Sequence, residues 1–171
     1  FPAVAGLYAR PTVVNNVETI ASVPAIIRNG GDWYASYGTE KSKGIKVFAV
    51  SGHVNNPGIF EAPLGITMRE LLGYAGGIRD GHNLKFFVVG GSSVPMLTEE
   101  HLDAELSYEG MEAVGTMLGT ATPMVFDETV SVVRAITGWL DFYKHESCGK
   151  CTPCREGTWW IDQLLHDLKS G

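Results

Sequence analysis

Residues 146–158 read ESCGKCTPCREGT, and this stretch determines how the end of the chain is organised. All three cysteines lie in it, at Cys148, Cys151 and Cys154, with the spacing Cys-x-x-Cys-x-x-Cys. A short loop with this spacing can wrap one face of an iron–sulfur cubane, because successive thiolates reach successive irons. Zinc also binds such thiolates, but a structural zinc site normally shows two Cys-x-x-Cys pairs or added histidines. The spacing therefore favours iron–sulfur and leaves zinc as the alternative.

The residues between the cysteines suit a charged inorganic centre. Gly149 lets the backbone bend closely and point N–H groups at sulfur. Pro153 stiffens the turn between the second and third cysteines. Lys150 and Arg155 can offset the negative charge of thiolates and tune a reduction potential.

The string Glu-Ser-Cys-Gly-x-Cys-x-Pro-Cys-Arg-x-Gly resembles the cluster motif of a known family. That family is the NADH-binding, flavin-carrying subunit of bacterial complex I (NADH:quinone oxidoreductase), with related diaphorase subunits in NAD-reducing hydrogenases and NAD-dependent formate dehydrogenases. In it, three cysteines and a fourth further along hold one [4Fe–4S] cluster. The resemblance implies that Cys148, Cys151 and Cys154 are cluster ligands and that the fourth ligand follows residue 171.

Composition places the chain among globular proteins. It has 171 residues, 44% of them hydrophobic and 19% charged, which suffices for a packed core in one domain or two small ones. The net charge of −6 and the absence of a basic patch argue against nucleic-acid binding. No apolar run reaches membrane-spanning length, and clustered cysteines without a disulfide framework suggest a reducing compartment. The resemblance implies a fragment of a larger cytoplasmic subunit, peripheral on the inner face of the cell membrane.

The first forty residues predict a short strand over 11–14 and then a helix. Asn15 or Asn16 can cap this helix, Pro24 should kink or restart it, and 29–31 should end it. A strand that runs into a helix N-terminus can also bind phosphate, although capping alone is the simpler interpretation of the residues. Pro-Thr-x-x-Asn-Asn-Val-Glu-Thr, however, resembles a second signature of the same flavin-carrying family. The resemblance makes Asn15, Asn16 and Thr19 candidate FMN contacts; the family's glycine-rich flavin and NADH loop lies upstream.

The middle of the chain predicts a compact α+β unit. Strands are expected over 45–50, 59–63 and 84–89, with a helix over 68–74 capped by Thr67. A hairpin, a crossing helix and a further strand suggest a ubiquitin-like β-grasp. The resemblance implies a soluble-ligand-binding β-grasp domain at this position. The expected fold class is α+β, with three parts: the end of an FMN/NADH-binding domain plus linker (1–43), the β-grasp domain (44–122) and the start of a helical [4Fe–4S] domain (123–171).

The last fifty residues predict a strand over 124–126 and two helices that flank the cysteine loop. The first helix should begin at Asp127 or Thr129. The second should carry an apolar face and could place Trp159 and Trp160 where they shield the cluster, although core packing is the simpler role for at least one tryptophan. His145 is expected at the surface.

The resulting functional hypothesis is the electron-transfer part of an NADH dehydrogenase. In the family, NADH passes a hydride to FMN, and single electrons then reach the [4Fe–4S] cluster and continue toward quinone. The resemblance implies two partners, a thioredoxin-like [2Fe–2S] subunit and a large iron–sulfur subunit. No residue here is expected to act as a catalytic acid or base, because the cofactors carry the chemistry. The alternatives are a hydrogenase or formate dehydrogenase diaphorase subunit and a non-enzymatic metal-binding interaction module.

Overall fold

A computed structural model describes residues 1–170, which form a four-stranded sheet and six α-helices. Two of the helices precede the first strand, two lie between strands and two follow the last strand. The helices are α1 (Val17–Asn29), α2 (Gly31–Ala35), α3 (Met68–Tyr74), α4 (Tyr108–Ala113), α5 (Val132–Glu146) and α6 (Thr152–Ser170). The strands are β1 (Ile45–Gly52), β2 (Gly58–Pro63), β3 (Leu84–Val88) and β4 (Met124–Asp127). The predicted α+β class is confirmed.

The sheet has the order β2-β1-β4-β3. β1 pairs antiparallel with β2 and parallel with β4, while β3 pairs antiparallel with β4. This mixed order arises because the chain leaves the first hairpin, crosses through α3 to β3 at the far edge, and then returns as β4 between β3 and β1. β4 completes the sheet although it lies beyond residue 122, and the predicted division into three parts stays a prediction.

The β-grasp core lies between the sheet and α3. Sheet side chains Phe48 and Phe87 and the helix side chains Met68 and Leu71 are fully buried in it. The helix begins where predicted because Thr67 and Glu70 form a reciprocal capping box, which satisfies backbone N–H groups at its first turn.

Three predictions about local structure are wrong, and two of them concern the first helix and the segment before it. Residues 11–14 form no strand, because Val13 and Val14 are exposed and no neighbouring strand pairs with them. Pro24 does not interrupt α1, which runs unbroken from Val17 to Asn29. The carbonyl of Ile20, which loses its helical N–H partner at Pro24, belongs to a half-exposed residue and can bind water instead.

The third wrong prediction is the start of the helix after β4, which begins later than expected. Asp127 is still part of the strand, and its carboxylate accepts hydrogen bonds from the backbone N–H and the hydroxyl of Thr129, at 3.0 and 2.6 Å. This turn satisfies locally the groups that would have opened a helix. α5 therefore starts at Val132, with Ser131 as its N-cap.

Candidate functional site

The cysteine loop joins the two long helices of the C-terminal part. α5 ends at Glu146, Ser147 follows as its C-cap, and α6 begins at Thr152. Cys148 and Cys151 lie in the loop, and Cys154 lies in the first turn of α6. All three thiols are free and exposed. The structure thus brings the three predicted ligands to one helix–loop–helix junction, although their role as cluster ligands stays a prediction.

Side chains other than the cysteines hold the loop. The guanidinium of Arg155 donates to the carbonyl of Gly149 at 2.6 Å, and Gly149 adopts a positive φ of 70°. The hydroxyl of Ser147 accepts from the Gly149 N–H at 3.2 Å and lies 3.4 Å from the sulfur of Cys154. Apart from the Ser147–Cys154 contact these bonds do not involve the thiols, and all three sulfurs are free of disulfide bonds. A single-residue left-handed bend is the conformation for which glycine is the best residue.

The separation of the sulfurs bears on the choice of metal. Within residues 1–170, three potential ligand atoms of His, Cys, Asp or Glu lie within 4.8 Å of one another only at His82, Asp127 and Glu128. At least one pair of the three cysteine sulfurs is therefore more than 4.8 Å apart, wider than the roughly 3.8 Å that Zn–S bonds of about 2.3 Å would impose. Three free thiols in one loop are the donor type that a [4Fe–4S] cluster binds, and on this chemistry the donor set fits such a cluster.

The group formed by His82, Asp127 and Glu128 is an ionic cluster rather than a free cation site. The carboxylate of Asp127 is fully buried and already contacts the guanidinium of Arg79 and, at 3.0 Å, the imidazole of His53. Burial raises the pKa of Asp127, but the hydrogen bonds from Thr129 and His53 outweigh this effect and hold the pKa well below its usual range. A carboxylate paired with a guanidinium has little capacity left for a metal ion.

A buried ion pair joins the two helices that flank the cysteines. The ammonium of Lys144 on α5 contacts the carboxylate of Asp162 on α6, and Asp162 is 2% exposed. The hydrogen bond from Lys144 lowers the pKa of Asp162, so this carboxylate is charged at neutral pH. This contact fixes the angle between the helices and hence the position of the loop between them.

The prediction that at least one of Trp159 and Trp160 packs in a core is wrong for the described part of the chain. Trp159 and Trp160 are 52% and 62% exposed, and Leu164 and Leu168 are exposed to a similar degree. The periodicity correctly predicted the helix, but residues 1–170 supply no second surface to cover this face. His145 is at the surface as predicted, beside Glu146.

The three candidate FMN contacts lie together at the N-terminus of α1. The Asn16 side chain is the N-cap: its oxygen accepts from the N–H groups of Glu18 and Thr19 at 2.9 and 3.3 Å. The Asn15 oxygen accepts from the Asn16 N–H at 2.9 Å. In the described structure neither side-chain amide nitrogen donates a hydrogen bond, and all three side chains are exposed. Two amide donors and a hydroxyl at a positive helix end suit a phosphate and a polyol chain.

Two residues near these sites have contacts that the sequence patterns did not predict. The hydroxyl of Ser147 contacts both Gly149 and Cys154, a role that the cysteine spacing does not indicate. The carboxylate of Glu18, an acid in the first turn of α1, contacts Lys46 and the backbone of Val47, 29 residues away. The position of Ser147 next to a candidate ligand cysteine could have indicated its contacts, but no sequence pattern indicates those of Glu18.

Comparison with protein families supports both halves of this description. Residues 134–171 match the NADH-ubiquinone oxidoreductase-F iron-sulfur binding region, and residues 47–97 match the SLBB domain. The first range includes the cysteine loop, and the second includes most of β1 together with β2, α3 and β3.

Comparison with individual proteins gives matches along the whole chain. The chain is 64% identical over 171 residues to the F subunit of NADH-quinone oxidoreductase from Mycobacterium tuberculosis and from Streptomyces coelicolor, and 46% identical over 173 residues to that of Rickettsia typhi. These alignments include all of this chain but only 38% to 41% of the relatives, so the chain spans about two-fifths of their length.

A solved structure has the same fold. The crystal structure of an NAD+-reducing [NiFe]-hydrogenase in the air-oxidized state superposes with a TM-score of 0.84 at 35% identity, over 99% of this chain and 29% of that chain. Among the helices of residues 1–170, none combines the length and the apolar character needed to cross a membrane.

Proposed function

We propose that this chain, which corresponds along its whole length to one segment of the F subunit of NADH-quinone oxidoreductase, is the electron-transfer part of an NADH dehydrogenase. Its role is to hold a [4Fe–4S] cluster at the junction of α5 and α6 and part of an FMN site at the start of α1. The observation that carries the proposal is the exposed trio of thiols in a loop that Ser147 and Arg155 already hold in shape.

The residues of the loop have distinct roles toward the cluster. Cys148, Cys151 and Cys154 supply three thiolate ligands, and a fourth ligand comes from outside this chain. The positive side chain of Arg155 offsets thiolate charge while its hydrogen bond to Gly149 fixes the bend between the ligands. The N-terminal end of α6 adds a partial positive charge beside Cys154.

The start of α1 contributes to the flavin side. Asn15, Asn16 and Thr19 would donate hydrogen bonds to the phosphate and ribityl oxygens of FMN. The bound cofactors would supply the redox chemistry, which is hydride uptake from NADH at FMN and one-electron transfer through the cluster toward quinone. The chain's own contribution is to bind, to orient and to supply electrostatics. NAD(H) is the substrate of the whole subunit, whose glycine-rich nucleotide loop is expected upstream of residue 1.

The proposal extends to assembly. The subunit would work within a multi-subunit complex, with a thioredoxin-like [2Fe–2S] subunit and a large iron–sulfur subunit as partners, on the inner face of the cell membrane. One observation favours a second candidate, a diaphorase subunit of an NAD-reducing hydrogenase: the hydrogenase structure shares the fold over 99% of the chain. The higher identity to the quinone oxidoreductase relatives, 64% against 35%, favours the first candidate.

Iron, sulfide and zinc analysis of the full-length protein separates these functions from a non-enzymatic zinc module. About four irons and four sulfides per cluster site, with an EPR signal after anaerobic reduction, would support the redox role. Stoichiometric zinc without sulfide would instead show that the protein is a structural zinc-binding module and would rule out the redox role. Reduction of quinone or of a hydrogenase partner by NADH in the assembled complex distinguishes the two redox candidates.

A further inference from the structure

The first half of β1 has an open edge on the side where β4 pairs with its second half. The backbone N–H groups of Ala49 and Ser51 point to that side and donate to the carbonyls of Ala121 and Pro123, at 3.2 and 2.9 Å. Because N–H directions alternate along a strand, the N–H of Val47 points to the same side. The β4 pairing does not extend that far, so Val47, which lies opposite Glu61 of β2, has no strand partner on the β4 side.

Glu18 of α1 occupies the place of the missing strand at this edge. One carboxylate oxygen accepts from the Val47 N–H at 2.7 Å, and the other contacts the ammonium of Lys46. The hydroxyl of Tyr34 lies 3.4 Å from both the backbone nitrogen and the carbonyl oxygen of Ile45. Ile45 lies two residues before Val47, so its N–H points to the same side of β1. Side chains of Glu18 and Tyr34, from the first forty residues, thus occupy the open side of the first half of β1.

This polar contact matters because α1 has little else to hold it. No residue of α1 is buried in the described structure, and its apolar side chains Val17 and Ile27 are 83% and 78% exposed. Glu18 lies between the N-cap Asn16 and Thr19, within the same first turn. Fixing its carboxylate on β1 therefore fixes the turn that carries the candidate flavin donors.

We propose that Glu18 is a positioning residue that anchors the flavin-binding end of α1 to the open edge of β1. The inference rests on the proposed FMN site in one respect, the identity of the ligand that the turn binds. Burial raises the pKa of Glu18, but the bonds from Lys46 and Val47 outweigh this and lower it, so the carboxylate is charged at neutral pH. A charged acceptor strengthens both contacts.

The first test measures the anchor itself by hydrogen exchange in the full-length protein. Glu18→Ala removes the acceptor of the Val47 N–H, so exchange at Val47 should accelerate about tenfold while exchange at Ala49 is unchanged. Glu18→Gln keeps an oxygen acceptor and should have a smaller effect. Glu61→Ala is the matched control, because Glu61 is an exposed carboxylate opposite Val47 on β2 with no hydrogen bond from its side chain among the described residues.

The second test measures flavin binding by the same variants. Glu18→Ala should raise the FMN dissociation constant about tenfold and Glu18→Gln less. Turnover with ferricyanide per bound FMN, and the cluster EPR signal, should stay as in the unsubstituted protein, because a positioning residue touches neither reacting centre. Glu61→Ala should change none of these.

The outcomes separate this inference from the proposed function. Unchanged Val47 exchange in Glu18→Ala, or an FMN dissociation constant within about twofold of the unsubstituted value, overturns the role of Glu18 alone. A full-length protein that binds no FMN, or whose FMN affinity is indifferent to Asn15→Ala and Asn16→Ala, overturns the proposed flavin site and the inference with it.

Discussion

Removing the buried carboxylate of Asp127 should destabilise the junction between the sheet and the cluster-bearing helices. Asp127 is the last residue of β4 and has no exposed surface. Its carboxylate binds Thr129 in the turn that leads to α5, His53 after β1, and Arg79 in the loop before β3. Asp127→Ala therefore breaks contacts to three segments at once and leaves the buried Nε of Arg79 without a counter-charge.

The expected cost follows from the number and burial of these contacts. Breaking a buried ion pair by removing one partner costs about 3–5 kcal/mol. The side chains of Arg79 and His53 are 40% and 29% exposed, so water can partly replace the lost carboxylate and the lower end applies, about 3 kcal/mol. At about 2–4 °C per kcal/mol for a chain of this size, the midpoint of thermal unfolding should fall by about 9 °C. Asp127→Asn keeps the shape and should cost less, about 1–2 kcal/mol.

The assay is urea unfolding followed by tryptophan fluorescence. Trp139 is a local probe, because its ring packs edge-on against Phe126, next to Asp127, with 5.8 Å between ring centroids. Asp167→Ala is the control, since Asp167 is an exposed carboxylate near the end of α6. It should change the free energy of unfolding by less than about 0.5 kcal/mol.

The dependence on pH offers the sharpest check on this role of Asp127. The folded pKa of Asp127 is lowered, so its stabilisation is fully present above the unfolded pKa of about 3.9 and is lost as pH falls from there toward the folded pKa. The difference in free energy of unfolding between the unsubstituted chain and Asp127→Ala should persist at pH 5 and should shrink below about pH 4. A cost below about 1 kcal/mol at pH 7, or a cost that grows as pH falls below about 4, would show that the carboxylate does not hold the junction.

Two further predictions concern the loop and the core. Arg155→Met removes the hydrogen bond to the Gly149 carbonyl and a positive charge beside the thiolates. Cluster incorporation, measured by iron content, should therefore weaken about tenfold, and the reduction potential, measured by redox titration, should fall by about 30–60 mV. Lys169→Met is the control. An unchanged potential would contradict the electrostatic role of Arg155. Leu71→Ala, at a fully buried position of α3, should lower the free energy of unfolding by about 2–4 kcal/mol in the same urea assay, and a loss below about 1 kcal/mol would show that the core assignment is wrong.

Local signals in the sequence predicted the elements whose ends are satisfied locally. The helix α3 could be predicted over Met68–Tyr74 because its cap, Thr67, and the glycines that follow it lie within a few residues of its ends. The cysteine loop between two helices was likewise predictable, because spacing and apolar periodicity are both short-range patterns. The start of α5 was not predictable, because the side chain of Asp127 accepts hydrogen bonds from the N–H and the hydroxyl of Thr129 and so prevents a helix from starting there.

Contacts between distant segments could not be predicted from the same patterns. Glu18 contacts Val47 across 29 residues, and nothing in either local sequence indicates the other. The apolar face of α6 shows the opposite case, since its periodicity is clear but Leu164 and Leu168 remain exposed in residues 1–170. Periodicity predicts which side of a helix is apolar and does not supply the surface that covers it.

The proposed function depends above all on Cys148, Cys151 and Cys154 being ligands of one iron–sulfur cluster. The deciding experiment is the EPR spectrum of the anaerobically reduced full-length protein, with iron and sulfide content, before and after Cys151→Ala. We expect a cubane signal that the substitution abolishes or converts, together with loss of sulfide-bound iron. An identical spectrum and iron content in Cys151→Ala, or stoichiometric zinc without sulfide in the unsubstituted protein, would contradict the assignment of these cysteines.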